Sequence, residues 1–137
     1  MFTLTGYQIK DELHRGEKSV VYRANKDGKP VILKYLNSEY PSNFELKNFK
    51  KEYEILTKFN LKNSVQADRI ETYKNSLVLV FEDIGASSIA MILKEKKHFQ
   101  TEEFLEVAIA IAKGLRELGE NQIIHKDIKP HNIIYNS

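Results

Sequence analysis

Cysteine is absent from this 137-residue chain, which excludes disulfides and thiolate metal sites. A strong charge of one sign is absent too. Twenty-one Lys and Arg against 19 Asp and Glu give a net charge of +2, too mild to imply a nucleic-acid partner. The densest basic run, Lys94, Lys96 and Lys97, reads as a solvated helix end. No stretch approaches the ~20 apolar residues of a membrane helix, and Met1-Phe2-Thr3-Leu4-Thr5-Gly6 has no basic region followed by an apolar core. A cytoplasmic location without membrane contact is therefore expected. Internal repeats and low-complexity tracts are also missing. What remains is an ordinary balance, 42% hydrophobic and 29% charged, at a length that suits one domain with one substantial core.

The first third reads as three strands joined by short turns. Tyr7 to Leu13 partly alternates apolar and polar residues, Ser19 to Ala24 is rich in β-formers, and Pro30 to Leu36 is a third apolar run. His14 to Lys18 forms the first turn, and the Asp-Gly pair in Lys26-Asp27-Gly28-Lys29 marks the second. Such a series makes an antiparallel meander. Two further strands, Val65 to Tyr73 and Ser76 to Phe81, flank the turn Lys74-Asn75 and complete a five-stranded count. The nearly continuous apolar run Leu77 to Phe81 predicts a central position.

Between the third and fourth strands, Ser42 followed three residues later by Glu45 is a capping box, and it predicts a helix to about Phe59. Phe49, Tyr53, Leu56 and Phe59 form its buried stripe. Glu52 lies on that side of the helix, whereas Glu54 is rotated away. A carboxylate facing a core needs a cation, because unpaired burial costs several kcal/mol. Lys34, at the end of the preceding strand, is the expected partner.

The remainder reads as mostly helical. Ser88 to Lys94 forms a short helix, and Thr101 caps a longer one ending at Asn121. The stripe of the longer helix is Phe104, Val107 or Ala108, Ile111, Leu115 and Leu118. Near the end, Ile123-Ile124 and Ile133-Ile134 bracket a polar run, and both pairs read as short buried strands. Pro130 is expected to exclude helix and keep the segment a loop that holds His125, Asp127, Lys129 and Asn132 in a fixed constellation.

The spacing His125-x-Asp127-x-Lys129-x-x-Asn132 resembles the catalytic loop of eukaryotic-like serine/threonine protein kinases, H-R-D-L-K-P-x-N. Other stretches carry the same resemblance. Leu13 to Val21 occupies the place of the glycine-rich loop, with Gly16 as its middle glycine and His14 and Ser19 in place of the outer two. Val31-Ile32-Leu33-Lys34 is similar to V-A-I-K, and Glu82-Asp83-Ile84-Gly85 to the hinge. The opening Gly6-Tyr7-Gln8-Ile9 and Ile124 to Ile128 are similar to the N-terminal kinase domain of bacterial, often cyanobacterial, multidomain hybrid sensor kinases.

The resemblance implies an α+β fold: a five-stranded antiparallel N-lobe sheet with helix C over 1–84, then hinge and partial C-lobe over 85–137. It implies ATP and Mg2+ as cofactors. Asp127 would orient and deprotonate the substrate hydroxyl, Lys129 would stabilise charge on the transferring phosphoryl group, and Asn132 would bind magnesium. Lys34, held by Glu52, would position the α- and β-phosphates. Gly16, Val21, Ile32, Phe81 as gatekeeper, Ile134, and the backbone of Glu82 and Ile84 would complete the ATP site. Lys129 favours a protein hydroxyl over a small-molecule acceptor.

Three departures shape the remaining expectations. His and Ser give the backbone less freedom than glycine near phosphates. Ile32 is larger than the usual alanine and narrows the adenine pocket. Both motivate an alternative, a pseudokinase-like docking or regulatory module that binds ATP weakly or not at all. Finally, no D-F-G or A-P-E element is present. The expectation is that these residues are the N-terminal piece of a longer kinase, inactive alone and working with downstream domains of the same parent chain on a protein substrate. The long helix is expected to expose apolar residues and promote self-association of the 101–137 segment.

Overall fold

The computed structural model describes residues 1–136. They fall into two compact units, one made of Met1–Asn60 with Val65–Asp83, the other of Leu61–Ser64 with the chain from Ile84 onward. Among the described residues no helix is long and apolar enough to cross a membrane.

The first unit is a five-stranded antiparallel sheet carrying one helix. Its strands are β1 (Gln8–Arg15), β2 (Ser19–Lys26), β3 (Lys29–Leu36), β4 (Ala67–Tyr73) and β5 (Ser76–Glu82), in the order β1-β2-β3-β5-β4. The expected elements are all present, with shifted ends. Strand β1 carries on through His14 and Arg15, which shortens the first turn, and β4 starts at Ala67, two residues after the expected Val65. Asp27 and Gly28 both take positive φ (50° and 78°), as the Asp-Gly turn requires.

Helix α1 (Asn43–Lys58) starts as its capping box dictates. The Ser42 hydroxyl accepts the Glu45 amide at 3.2 Å, and the Glu45 carboxylate accepts the Ser42 amide at 2.8 Å. Those bonds hold the Glu45 carboxyl below the usual glutamate range. The helix lays Phe49, with Leu46, Tyr53 and Leu56, against one sheet face made by Leu36, Ala67, Leu77, Leu79 and Phe81.

The opposite sheet face is also buried. Val20, Tyr22, Ala24, Leu33, Val78 and Val80 line it, and the N-terminal residues Phe2, Leu4 and Tyr7 cover it. Phe2 stacks on Tyr22 (centroids 4.7 Å apart, planes within 5°) and touches Tyr35 at 5.0 Å and Tyr73 at 4.9 Å. Covered on both faces, Leu77 to Phe81 are all buried, which accounts for the continuous apolar run. Tyr7, just before edge strand β1, donates its hydroxyl to Glu71 of the other edge strand β4 at 2.8 Å. The sheet is curled enough for its two edges to bond.

The second unit contains β6 (Ser87–Ser88), α2 (Ile89–Lys96), α3 (Thr101–Glu120), a 3-10 turn (Pro130–Asn132) and β7 (Ile134–Tyr135), with β6 and β7 paired antiparallel. The Ser88 hydroxyl caps α2 by accepting the Met91 amide at 3.2 Å. Helix α3 corrects one expectation: its N-cap is Gln100, with extended dihedrals and no side-chain cap bond, and Thr101 is the first helical residue. Glu102 and Glu103 still sit in the first turn, against the positive end of the macrodipole.

The stripe of α3 also needs correction. Val107 is buried, but Phe104 and Leu115 are exposed, together with Leu105 and Ile109. The packed face instead includes Glu117, whose carboxylate accepts the backbone amides of Lys62 at 2.6 Å and Asn63 at 2.9 Å. These bonds fasten Leu61–Ser64 to α3 and lower the Glu117 carboxyl below the ordinary glutamate range.

The apolar pairs around the polar loop depart furthest from expectation. Ile123 and Ile124 form no strand, and Ile124 is 79% exposed. Strand pairing needs a partner, and β6 is taken by Ile134 and Tyr135. Ile134 is in a strand but exposed. Pro130 does not exclude helix either. It occupies the start of the 3-10 turn, where its fixed φ fits and its missing amide is not needed.

Candidate active site

Strand register gathers one set of candidates within the first unit. Val21 pairs with Lys34 and Arg23 with Ile32 across β2 and β3, while Ile32 pairs with Phe81 and Lys34 with Leu79 across β3 and β5. Residues directly opposite share a face, so Val21, Ile32, Lys34 and Phe81 all lie on the α1-facing side of the sheet. Lys34 Nζ meets Glu52 Oε1 at 2.6 Å and lies 5.8 Å from the centre of the Phe49 ring. Both partners are partly open, at 29% and 37% side-chain exposure. Glu52 thus sits at the rim of the helix stripe, open to solvent yet close enough to the sheet to fix the lysine.

Gly16 lies in the turn between β1 and β2, where its amide donates to the Ser19 carbonyl at 2.9 Å. A Cβ there would meet the His14 ring at 3.4 Å and the Ser19 carbonyl at 3.5 Å, ordinary contact distances. The fold itself therefore accommodates a side chain at Gly16.

At the end of β5, Glu82 is exposed and opposite Val31. The Asp83 amide donates to the Pro30 carbonyl at 3.3 Å, which makes Asp83 and Pro30 the hydrogen-bonded pair. By the alternation of an antiparallel ladder, the Glu82 amide and carbonyl then point away from β3. Gly85 follows with φ +72°, a value that favours glycine. Sequence reasoning passed over Asp83 and Arg23. The Asp83 carboxylate, its side chain 7% exposed, accepts Arg23 Nε at 2.6 Å. Strand parity alone places Arg23, two residues after Val21, on the candidate face.

The second unit holds the other set. Asn132 Nδ2 donates to both the Asp127 carbonyl (2.9 Å) and Asp127 Oδ2 (3.0 Å), and Lys129 Nζ lies 3.2 Å from the same Oδ2. The Asp127 amide reaches back to His125 Nδ1 at 3.2 Å. Neutral His125 must then carry its proton on Nε2. Lys126 between them has φ +70°, a left-handed conformation costing about 1 kcal/mol in a lysine, and it folds the Asp127 amide onto the ring. Lys129, then Asn132, hold the Asp127 carboxyl below the usual aspartate range, so it is ionised at neutral pH. Asp127, Lys129 and Asn132 are therefore one hydrogen-bonded cluster, exposed to solvent.

With Asn132 Nδ2 occupied by Asp127, its amide oxygen is the atom left to act as a hard ligand, which suits Mg2+. Among the described residues no three His, Cys, Asp or Glu gather as a metal site. Mg2+ characteristically needs few protein ligands when substrate phosphates supply oxygens, so the donor set fits. Also in this unit, the Ile84 carbonyl accepts Asn136 Nδ2 at 2.9 Å, and Ile134 lies in β7 opposite Ser88.

A family model for the protein kinase domain matches residues 7–137. Among curated proteins, the chain is 29% identical over 131 residues to a probable serine/threonine-protein kinase of Clostridium acetobutylicum, covering 93% of this chain and 20% of that protein. It is 33% identical over 138 residues to the inhibitor of nuclear factor kappa-B kinase subunit epsilon of Mus musculus, covering 93% and 19%. Calcium/calmodulin-dependent protein kinase type IV of Homo sapiens is 27% identical over 131 residues, covering 94% and 27%. The chain thus spans about a fifth to a quarter of the length of these relatives.

Proposed function

The chain belongs to the protein kinase domain family, and on that premise we propose that it carries the nucleotide-binding and catalytic-loop parts of a serine/threonine kinase that transfers the γ-phosphoryl group of ATP to a protein hydroxyl in signalling. Residues 1–84 are the N-lobe in this reading, and 85–137 the hinge and first part of the C-lobe. The observation that carries it is the clustering of Asp127, Lys129 and Asn132 through one carboxylate.

Asp127, ionised by its neighbours, accepts a hydrogen bond from the substrate hydroxyl, orients its oxygen and takes its proton as the phosphoryl group moves. Lys129 places a positive charge beside the same carboxylate, where charge on the transferring group develops. Lys34, braced by Glu52, receives the α- and β-phosphates. Within the first unit the Glu82 carbonyl binds the adenine edge, with Val21, Ile32 and Phe81 as apolar lining and Gly16 over the phosphates. Asn132 would hold Mg2+, which would neutralise phosphate charge. The parent chain works in the cytoplasm with its downstream domains, and residues 1–137 alone, with no D-F-G aspartate among them, transfer no phosphate.

The second reading, a docking module with weak or no ATP binding, rests on His14 and Ser19 in glycine positions. One assay separates the two. The parent chain, given γ-labelled ATP and Mg2+, labels serine in a protein acceptor under the first reading. Under the second it labels nothing while keeping its partner.

A further inference from the structure

The Arg23–Asp83 pair takes no part in phosphoryl transfer, and its geometry is unusual for a surface ion pair. A surface pair between long side chains contributes little and leaves both groups in water. Here the shorter partner is withdrawn: the Asp83 side chain is 7% exposed, against 35% for Arg23. The Asp83 carboxylate thus gives up most of its contact with water and takes Arg23 Nε, at 2.6 Å, as its charged partner. The pair joins residues 60 apart, from an interior strand to the last residue of the first unit.

The backbone of the same residue is held separately. The Asp83 amide bonds to the Pro30 carbonyl on β3, so Asp83 is tied to β3 by its main chain and to β2 by its side chain. Glu82, one residue before, is thereby fixed with its polar groups turned away from β3, and the left-handed Gly85 follows two residues after.

We propose that the Arg23–Asp83 ion pair is a positioning latch that sets the Glu82 backbone for purine recognition. The inference rests on the kinase reading, in which that backbone meets adenine. Arg23 and Asp83 touch no phosphate in this account. They act through the strand end, so their loss weakens the base-reading part of nucleotide binding and spares the phosphate-reading part.

The test uses the parent chain with Arg23→Ala, Asp83→Asn and the swapped pair Arg23→Asp/Asp83→Arg. Hydrogen exchange at the Asp83 amide is read alongside equilibrium binding of ATP and of inorganic tripolyphosphate. The latch predicts at least tenfold faster exchange at Asp83 in both single variants. It also predicts a roughly tenfold weaker Kd for ATP with tripolyphosphate binding unchanged, and partial recovery of both in the swap. A purely structural role would weaken both ligands together or lower thermal stability alone, and that overturns the proposal. Unchanged exchange overturns it as well, whatever the ligands do. If the wild-type chain exchanges slowly at Asp83 but binds no ATP, the kinase reading fails and purine recognition with it, while the mechanical tie stands.

Discussion

Lys34 and Glu52 meet at 2.6 Å, 18 residues apart in sequence, one on β3 and the other on α1. Neither is deeply buried, with side chains 29% and 37% exposed. Solvent screening at that exposure limits the pair to about 0–1 kcal/mol of stability. Its value lies in aiming the lysine. Glu52→Gln is expected to change thermal stability by less than about 1 kcal/mol. It should weaken ATP binding to the parent chain about tenfold, or ~1.4 kcal/mol. Paired melting and binding measurements check this. A large stability loss with unchanged affinity would mark the pair as structural.

Tyr7 gives the first unit a signature at alkaline pH. Burial first, then its hydrogen bond to Glu71, pushes the phenol from its ordinary value of 10.0 to about 12. A raised folded-state pKa means the protonated phenol is favoured by the fold. The resulting stability is fully present below pH 10 and is lost as pH rises through about 12. Tyr7→Phe should flatten that decline and cost ~1 kcal/mol at neutral pH from the lost hydrogen bond. Phenolate absorbance and unfolding, followed together across this range, provide the check.

Phe2 contributes through area and ring geometry. It is partly buried over Tyr22, Tyr35 and Tyr73, which come from three different strands. Phe2→Ala should cost about 1–3 kcal/mol and lower Tm by several degrees. Phe44, an equally large side chain that is 71% exposed at the start of α1, is the control. Phe44→Ala should stay within about 0.5 kcal/mol of wild type.

The elements legible in the sequence were those specified locally. The capping box and stripe of α1 lie within one 16-residue helix, and the Asp-Gly turn needs only its own dihedrals. The Lys34–Glu52 pair was legible for a different reason: a carboxylate on an apolar stripe demands a cation, and one stood nearby. Contacts of long sequence separation were not legible. Phe2 and Leu4 carry no periodicity, yet they cover the outer sheet face. Tyr7 and Glu71 are 64 residues apart, and Arg23 and Asp83 are 60 apart.

The polar loop around Asp127 shows the opposite failure. There the local pattern was read too strongly. Ile123-Ile124 have the composition of a strand but no edge to join, and Pro130, a helix breaker by residue type, is a helix starter by its position at the beginning of a turn. The left-handed Lys126 left no mark in the residue types. The side chains of Asp127, Lys129 and Asn132 nevertheless cluster, because their own mutual bonds hold them.

The most direct measurement of the central claim is the rate of phosphate transfer from ATP to a protein serine by the parent chain, wild type against Asp127→Ala. With Asp127 as the group that orients and deprotonates the hydroxyl, the variant should lose about 10²–10⁴-fold in kcat, with ATP affinity little changed. Full activity in the Asp127→Ala chain would contradict the assignment and remove the loop from the chemistry.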